Sequence, residues 1–262
     1  MPIVSIMTDF GTKDGNVGVM KGVILGIAPD ASIVDISHEV FPQDVRQAAY
    51  ILERQVFFFP EDSVHIVVVD PGVGTARRPI AAQIGTQRYV GPDNGVFTLI
   101  YERAEQEGLP VKTVHTDKPK YWLPKISNIF HGRDIFSPVG AHFAAGVPLE
   151  DLGTPIDDPV RLDLPKPKKT DEGCVGDVIH IDWFGNVQTN IPREMIGETN
   201  PKTITFGKTK VDGVVRTFGE REPGDIIALY NSTDFLMLAM VNGNVAAPEK
   251  IQIGDPVTVV NN

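Results

Sequence analysis

The sequence predicts a two-part protein: an N-terminal α/β unit, with a mostly parallel sheet and helices on both faces, then a smaller antiparallel β-barrel-like domain. Three observations carry this expectation. Apolar strand-like runs alternate with amphipathic helical stretches from residue 2 to about 160, the pattern of a sheet covered by helices. VHIVVV is a continuous apolar run, as a central strand buried on both faces requires. Beyond DLPKPKKTDEG, which has three lysines, two prolines and no apolar periodicity, β-like runs follow one another between Gly, Asn and Pro turns. The expected boundaries are 1–163 for the α/β unit, 164–173 for a linker and 174–262 for the β-barrel-like domain.

Taken in order, Ile3–Thr8 reads as a short strand, and a Gly/Asp turn leads into a helical pattern over Asn16–Ile27. Ser32–Ser37 is the next strand, and Ala48, Ile51, Leu52 and Val56 give the stretch 44–58 helical spacing. The VHIVVV strand comes next, then PIAAQIG and RYVGPDNG, then a helix from Val96 to about Gln106 ended by Gly108. A last helix is expected to start near Asp134, whose acidic side chain suits a helix N-terminus, and to run to Ala145. In the second domain CVGDVIHIDWF, NVQTNI, KTITFG, KVDGVVRTF, DIIALYNS, FLMLAMV and PVTVV read as strands, with no helix of any length between them.

Composition narrows the function classes. The chain has 262 residues, 42% hydrophobic and 22% charged, ordinary for a globular protein. Its net charge of −10 argues against nucleic acid and against an anionic membrane surface as partners. The one cysteine, Cys174, makes no intrachain disulfide. The N-terminal MPIVSIMTDFG lacks the basic region and apolar core of a signal peptide. Apolar runs are far shorter than the roughly 20 residues of a membrane helix. A cytoplasmic protein is expected.

In an open α/β sheet, ligands bind beyond the carboxyl ends of the strands. Asp9 ends the first strand in MTDFGTKDGN, and Asp70 ends VHIVVV. Each alone reads first as a turn or cap residue; two at equivalent strand ends suggest a shared pocket. The loop VVVDPGVGTARRP is not a nucleotide-phosphate loop. It lacks the Lys-Ser/Thr ending and the G-x-G-x-x-G spacing, and its aspartate repels phosphate. Its glycine turn allows Arg77 or Arg78 to fold back onto Asp70, and Arg78 is expected to be a solvated surface charge. His131 stands before a glycine and a charged pair in SNIFHGRDIFSP. None of the six histidines has metal-ligand spacing, so no metal site is expected. In HIDWFGNVQTNI, Asp182 and Asn186 flank a turn and suit an ammonium group or a heterocycle edge, though Gly-Asn is also good hairpin chemistry. These residues describe a pocket for a polar or cationic small molecule without naming a reaction.

Taken together, TDFGTKDGNVGVMKGV, VVDPGVGTARR, GPDNGV, FHGRDIFSP, IDWFGNVQTNI and the YNS…VNGN end resemble the S-adenosylmethionine (SAM) hydroxide adenosyltransferases, or SAM hydrolases, relatives of the fluorinating and chlorinating enzymes that use the same substrate. The matches run in order from residue 8 to about 247. The resemblance implies that SAM and water give adenosine and L-methionine by displacement at ribose C5′, with SAM as substrate and no cofactor. It implies a catalytic triad of Asp70, Arg77 and His131, with Asp70 or His131 accepting the water's proton and Arg77 fixing the carboxylate. It further implies Asp9 on the ribose hydroxyls, and Asp14, Gly15 and Asn16 in the loop that closes on substrate. Asp182 would meet the methionine ammonium and Asn186 the adenine edge. The resemblance also implies Phe218 as the aromatic neighbour of adenine, Ser232 as a contact of the methionine carboxylate, and Met240 and Asn242 as residues whose backbone groups meet adenine. The family places each site between subunits of a homotrimer. Two rival readings are a SAM-dependent halogenase and a non-catalytic adenosine or SAM sensor. The halogenases carry an uncharged aromatic at the position of Asp70 and a small hydroxyl residue at that of Val73. A carboxylate there repels halide at short range.

Overall fold

The computed structural model describes residues 1–197 and 201–261. The chain divides into two compact units, Met1–Leu162 and Asp163–Asn262.

In the first unit β1 (Ile3–Thr8), β2 (Ser32–Ser37), β3 (Val64–Val68), β4 (Pro79–Ile84), β5 (Gln87–Pro92), β6 (Val111–His115) and β7 (Thr154–Ile156) form one seven-stranded sheet in the order β2-β1-β3-β5-β4-β6-β7. Pairings among β2, β1, β3 and β5 are parallel, whereas β4 pairs antiparallel with β5 and β6, and β6 with β7. The sheet is therefore mixed, not mostly parallel. The reason is local: only Gly85 and Thr86 separate β4 from β5, and Gly85 has φ 58°. A connection that short can reverse a strand but cannot carry the crossover that a parallel neighbour needs.

Five helices belong to this unit: α1 (Asn16–Ile27), α2 (Val45–Val56), α3 (Thr98–Glu107), α4 (Ser137–Ala144) and the short α5 (Leu149–Leu152). Alternation along β1 separates two cores. Val4 and Ile6 pack with Met20 and Ile24 of α1 and Val139 and Phe143 of α4. Met7 faces the other way, into a core with Ala48 and Leu52 of α2 and Ile100 and Tyr101 of α3. All residues of β3 are buried, which is why its sequence is apolar throughout. Asp44 caps α2, its carboxylate accepting from Gln47 N at 2.8 Å, and Gly108 at φ 67° ends α3. The helix expected from Asp134 instead begins as a π-helical turn, Gly132–Phe136, that continues into α4.

The second unit contains β8 (Lys168–Thr170), β9 (Gly173–Ile181), β10 (Val187–Pro192), β11 (Thr203–Phe206), β12 (Thr209–Val211), β13 (Ile226–Tyr230), β14 (Phe235–Met240) and β15 (Pro256–Val260), with the short α-helices α6 (Arg193–Ile196) and α7 (Ala246–Glu249) and a 3-10 turn at Phe218–Glu220 among the described residues. The strand order is β12-β11-β15-β9-β10-β14-β13, with β8 also on β9. The long β9 pairs with β15 through residues 173–177 and with β10 through 178–181, so one strand joins two antiparallel ladders. Gly176 lies on β9 against Asn190 and Ile191 with no room for a side chain. Of KVDGVVRTF only the first part is strand, because Gly213 at φ 69° turns the chain away. Cys174, Val187, Ile204, Leu238 and Val257 fill the interior. Among the described residues no helix is long and apolar enough to cross a membrane.

One buried group makes the first unit acid-sensitive. His65 of β3 is fully buried, its Nδ1 2.7 Å from Ser5 Oγ, with its ring 5.2 Å from Phe59 and 5.1 Å from Tyr89. Burial pushes its pKa down to about 4. The unfolded chain, with an ordinary histidine, takes up a proton first as pH falls, so stability is retained above about pH 6.5 and lost towards pH 4. The loss amounts to about 3 kcal/mol. Urea melts from pH 7.5 to 4.5 should show this slope, and His65→Gln should flatten it even where it lowers stability overall.

Candidate active site

Asp70 follows β3 directly, where the sheet releases the chain. Val73 N bonds Asp70 O at 3.2 Å, Thr75 N bonds Gly72 O at 3.2 Å and Thr75 Oγ1 bonds Gly72 O at 2.7 Å, so successive tight turns bring Arg77 back beside Asp70. Arg77 Nε donates to Asp70 Oδ1 at 3.0 Å, and its Nη2 donates to Oδ2. Nη2 also lies 3.1 Å from His131 Nδ1. The carboxylate and guanidinium are 4% and 6% exposed, and the guanidinium sits 5.2 Å from the Phe136 ring centroid. Arg77 Nη1 is buried with no hydrogen-bond partner among the described residues, a donor available to a bound group. The structure thus brings the three sequence-predicted catalytic residues into one hydrogen-bonded cluster.

His131 is held by what surrounds it in the chain. The Asp134 carboxylate, fully buried, accepts from Ser127 N at 2.7 Å and from Arg133 Nε at 2.6 Å and Nη2 at 3.1 Å. Asp134 O accepts from Leu123 N at 2.9 Å, and Ser137 Oγ donates to Gly132 O at 2.7 Å. Asp134 lies in the first turn of the helical run, as expected; its carboxylate also closes the loop of residues 123–134 and fixes the π-helical turn beside His131. Such turns recur at functional sites. The loop meets the Asp70 turn directly: Gly74 has φ 75°, and a Cβ there would run into Asn128 O.

The charges adjust one another. Burial raises the proton affinity of Asp70, and Arg77 opposes this. Burial, then Arg77, lowers the pKa of His131, while Asp70 and Asp134 pull it back up. The net effect disfavours the charged imidazolium. Arg78 is not a solvated charge. Its Nε and Nη2 hold Asp93 Oδ2 at 2.8 and 2.6 Å, and Nη1 reaches Asp158 at 2.8 Å. The neighbouring Asn94 donates to Val69 O at 2.9 Å, one residue before Asp70. The GPDNG stretch thus anchors the end of β3, a role that its turn-like composition concealed.

Asp9 ends β1, next to β3, and its Oδ2 accepts from Gln43 N at 2.7 Å. Gln43 has φ 67°, a left-handed conformation uncommon for a residue with a side chain. His38 ties down both sides of Asp9: its Nδ1 is 2.9 Å from Thr8 Oγ1, and its carbonyl accepts from Gly11 N at 2.8 Å. Neither Gln43 nor His38 carries a sequence motif. Asp14, Gly15 and Asn16 are exposed, with Gly15 at φ 73° forming the N-cap of α1.

In the second unit Asp182, Asn186, Phe218, Ser232, Met240 and Asn242 all line one open cavity of about 730 Å³. Asp182 Oδ1 accepts from Phe184 N and Asn186 N, each at 2.9 Å, and Oδ2 accepts from Asn186 Nδ2 at 2.9 Å. Gln188, Tyr230 and Asn231, which lie within the quoted HIDWFGNVQTNI and YNS stretches, line the cavity as well. Among the described residues no three or more His, Cys, Asp or Glu group as a metal site.

Comparison with known proteins bears on both units. The model for the SAM hydroxide adenosyltransferase N-terminal domain matches residues 4–153, and that for the C-terminal domain matches residues 176–258. The chain belongs to this family. Among SAM hydroxide adenosyltransferase relatives, the (R)-S-adenosyl-L-methionine hydrolase of Thermus thermophilus is 38% identical over 260 residues, spanning 98% of this chain and 99% of the relative. The fluorinase of an Actinoplanes species is 31% identical, spanning 98% of this chain and 97% of the relative. The crystal structure of an uncharacterized conserved protein from Thermotoga maritima superposes with a TM-score of 0.90 at 35% identity, covering 98% of this chain and 99% of that one.

The close fit of Gly74 against Asn128 yields a test. Gly74→Ala must leave a left-handed conformation and push back the loop that carries His131, so it should destabilise the protein by about 1–3 kcal/mol. Denaturant melts measure this, with Gly11→Ala as a control, since Gly11 at φ 63° has nothing within 4 Å of its Cβ position.

Proposed function

We propose that the protein hydrolyses SAM to adenosine and L-methionine, water attacking ribose C5′ as the sulfonium leaves. The observation that carries this reading is the hydrogen-bonded Asp70–Arg77–His131 cluster, in a family whose relatives include named SAM hydrolases. The sulfonium departs as a neutral thioether, so the leaving group needs no acid. What the reaction needs is a water held in line with the C5′–S bond and a group to take its proton. The three side chains supply those functions. Pure binding, as in a sensor, has no use for them, and a carboxylate at the nucleophile's position disfavours the halide chemistry of the fluorinase relatives.

The other assignments follow the same reading. Asp9, held by Gln43 N, accepts the ribose hydroxyls, and Asp14, Gly15 and Asn16 form the closing loop. Asp182 has already taken three hydrogen bonds, which leaves its carboxylate about one acceptor position for the methionine ammonium. With Nδ2 engaged on Asp182, Asn186 offers its carbonyl to the adenine amino group. Phe218 flanks adenine, Ser232 meets the methionine carboxylate, and Met240 and Asn242 give backbone contacts. The substrate epimer is the one named for the relatives, R at sulfur. The protein acts in the cytoplasm as a homotrimer that shares each site between subunits, without nucleic acid; the exposed Trp183 and Phe184 beside Asp182 suit such an interface.

Incubation with each sulfur epimer of SAM, followed by chromatography, should release adenosine and methionine in equal amounts; substrate that survives intact would favour the sensor. Asp70→Ala and His131→Ala should still bind SAM and lose about 10²–10⁴-fold in kcat. Wild-type rates in both would sink the triad. Asp9→Ala should weaken binding about tenfold or more, equivalent to ~1.4 kcal/mol, as read by calorimetry. Light scattering should give three times the chain mass.

A further inference from the structure

Accepting the hydrolase reading, the cluster contains enough geometry to divide labour between its two candidate bases. Arginine has five N–H donors, no acceptor, and keeps its proton throughout the accessible pH range. Arg77 Nε–H goes to Asp70 Oδ1, and one Nη2–H goes to Asp70 Oδ2. The second Nη2–H faces His131 Nδ1 at 3.1 Å. Because Arg77 can only donate, Nδ1 must accept, and it carries no proton. A neutral imidazole has a single N–H, so in His131 that hydrogen is on Nε2. His131 meets a nucleophile through Nε2 alone, and there it offers a donor and not a lone pair.

We propose that His131 acts in the hydrolysis as a hydrogen-bond donor through Nε2–H, orienting the attacking water, and that Asp70 is the group that takes the proton. The Asp70 carboxylate accepts twice from Arg77 and once from Gly72 N, which leaves about one of its four acceptor positions for the water's proton. As the water oxygen bonds to C5′, the C5′–S bond breaks and its electron pair leaves on the methionine sulfur. The proton passes from the water to Asp70 and from there to solvent. The charges around His131 favour this arrangement: Arg77 at Nδ1 opposes a second ring proton, while Asp70 and Asp134 offset part of that effect.

The tautomer is measured directly on the wild-type full-length protein by ¹⁵N NMR of labelled histidines, with His131→Gln identifying the signal. At neutral pH the expected pattern is an unprotonated Nδ1 and a protonated Nε2. The reverse pattern overturns the proposal. Kinetics provide a second arm. The Gln amide N–H stands close to the Nε2 position, so His131→Gln should lose about tenfold or less in kcat, whereas Asp70→Asn should lose about 10²–10⁴-fold. Equal losses, or a larger loss in His131→Gln, overturn the division of roles. A wild-type protein that leaves SAM intact would sink the hydrolase reading, yet leave the tautomer measurement unaffected.

Discussion

The buried pairing of Arg77 with Asp70 is the interaction on which the first unit's site depends. Removing two charges from water is costly, and Coulomb attraction offsets that cost only where geometry is good and the remaining donors find acceptors. Here two guanidinium nitrogens meet two carboxylate oxygens, a third N–H meets His131, and Phe136 lies against the guanidinium face. Breaking such a pair from one side strands a charge, at about 3–5 kcal/mol. The tight turns of residues 70–77, the Asn94 anchor on Val69 and the Asp134-closed loop all hold these groups in register.

Each unit contributes a different kind of surface. The α/β unit presents the carboxylates of Asp9 and Asp70 at the ends of parallel strands, where such sheets commonly bind ligands. The β unit presents a cavity lined by an acid, amides, a hydroxyl and aromatic rings. The protein's net charge of −10 favours the approach of cationic small molecules.

Much of this was legible in the sequence because the signals are local. Ile3–Thr8, Asn16–Ile27 and Ser32–Ser37 have the bounds that period and turn residues indicate. The direction of β4 was not legible, since an apolar run carries no record of its partner's orientation; that depended on the two residues Gly85 and Thr86. Asp70, Arg77 and His131 could be singled out because strand ends and glycine turns mark them. Gln43, His38 and Asn94 could not, because they act through backbone groups or through hydrogen bonds to distant residues. Arg78 was misread for a related reason: its partners Asp93 and Asp158 are chosen by the fold and not by spacing, and so is Ser127, the partner that Asp134 takes in addition to its place at the helix start.

The contact between Gly74 and the Asn128 carbonyl has a bearing on how this scaffold can change. Two segments more than fifty residues apart are shaped to each other at a point where not even a methyl group fits. The turn cannot be exchanged by itself for one of another shape, because its partner loop carries His131 and would have to move with it. For anyone redirecting this chemistry, by evolution in the laboratory or by grafting from a halogenase, the unit of inheritance is the turn and the loop together.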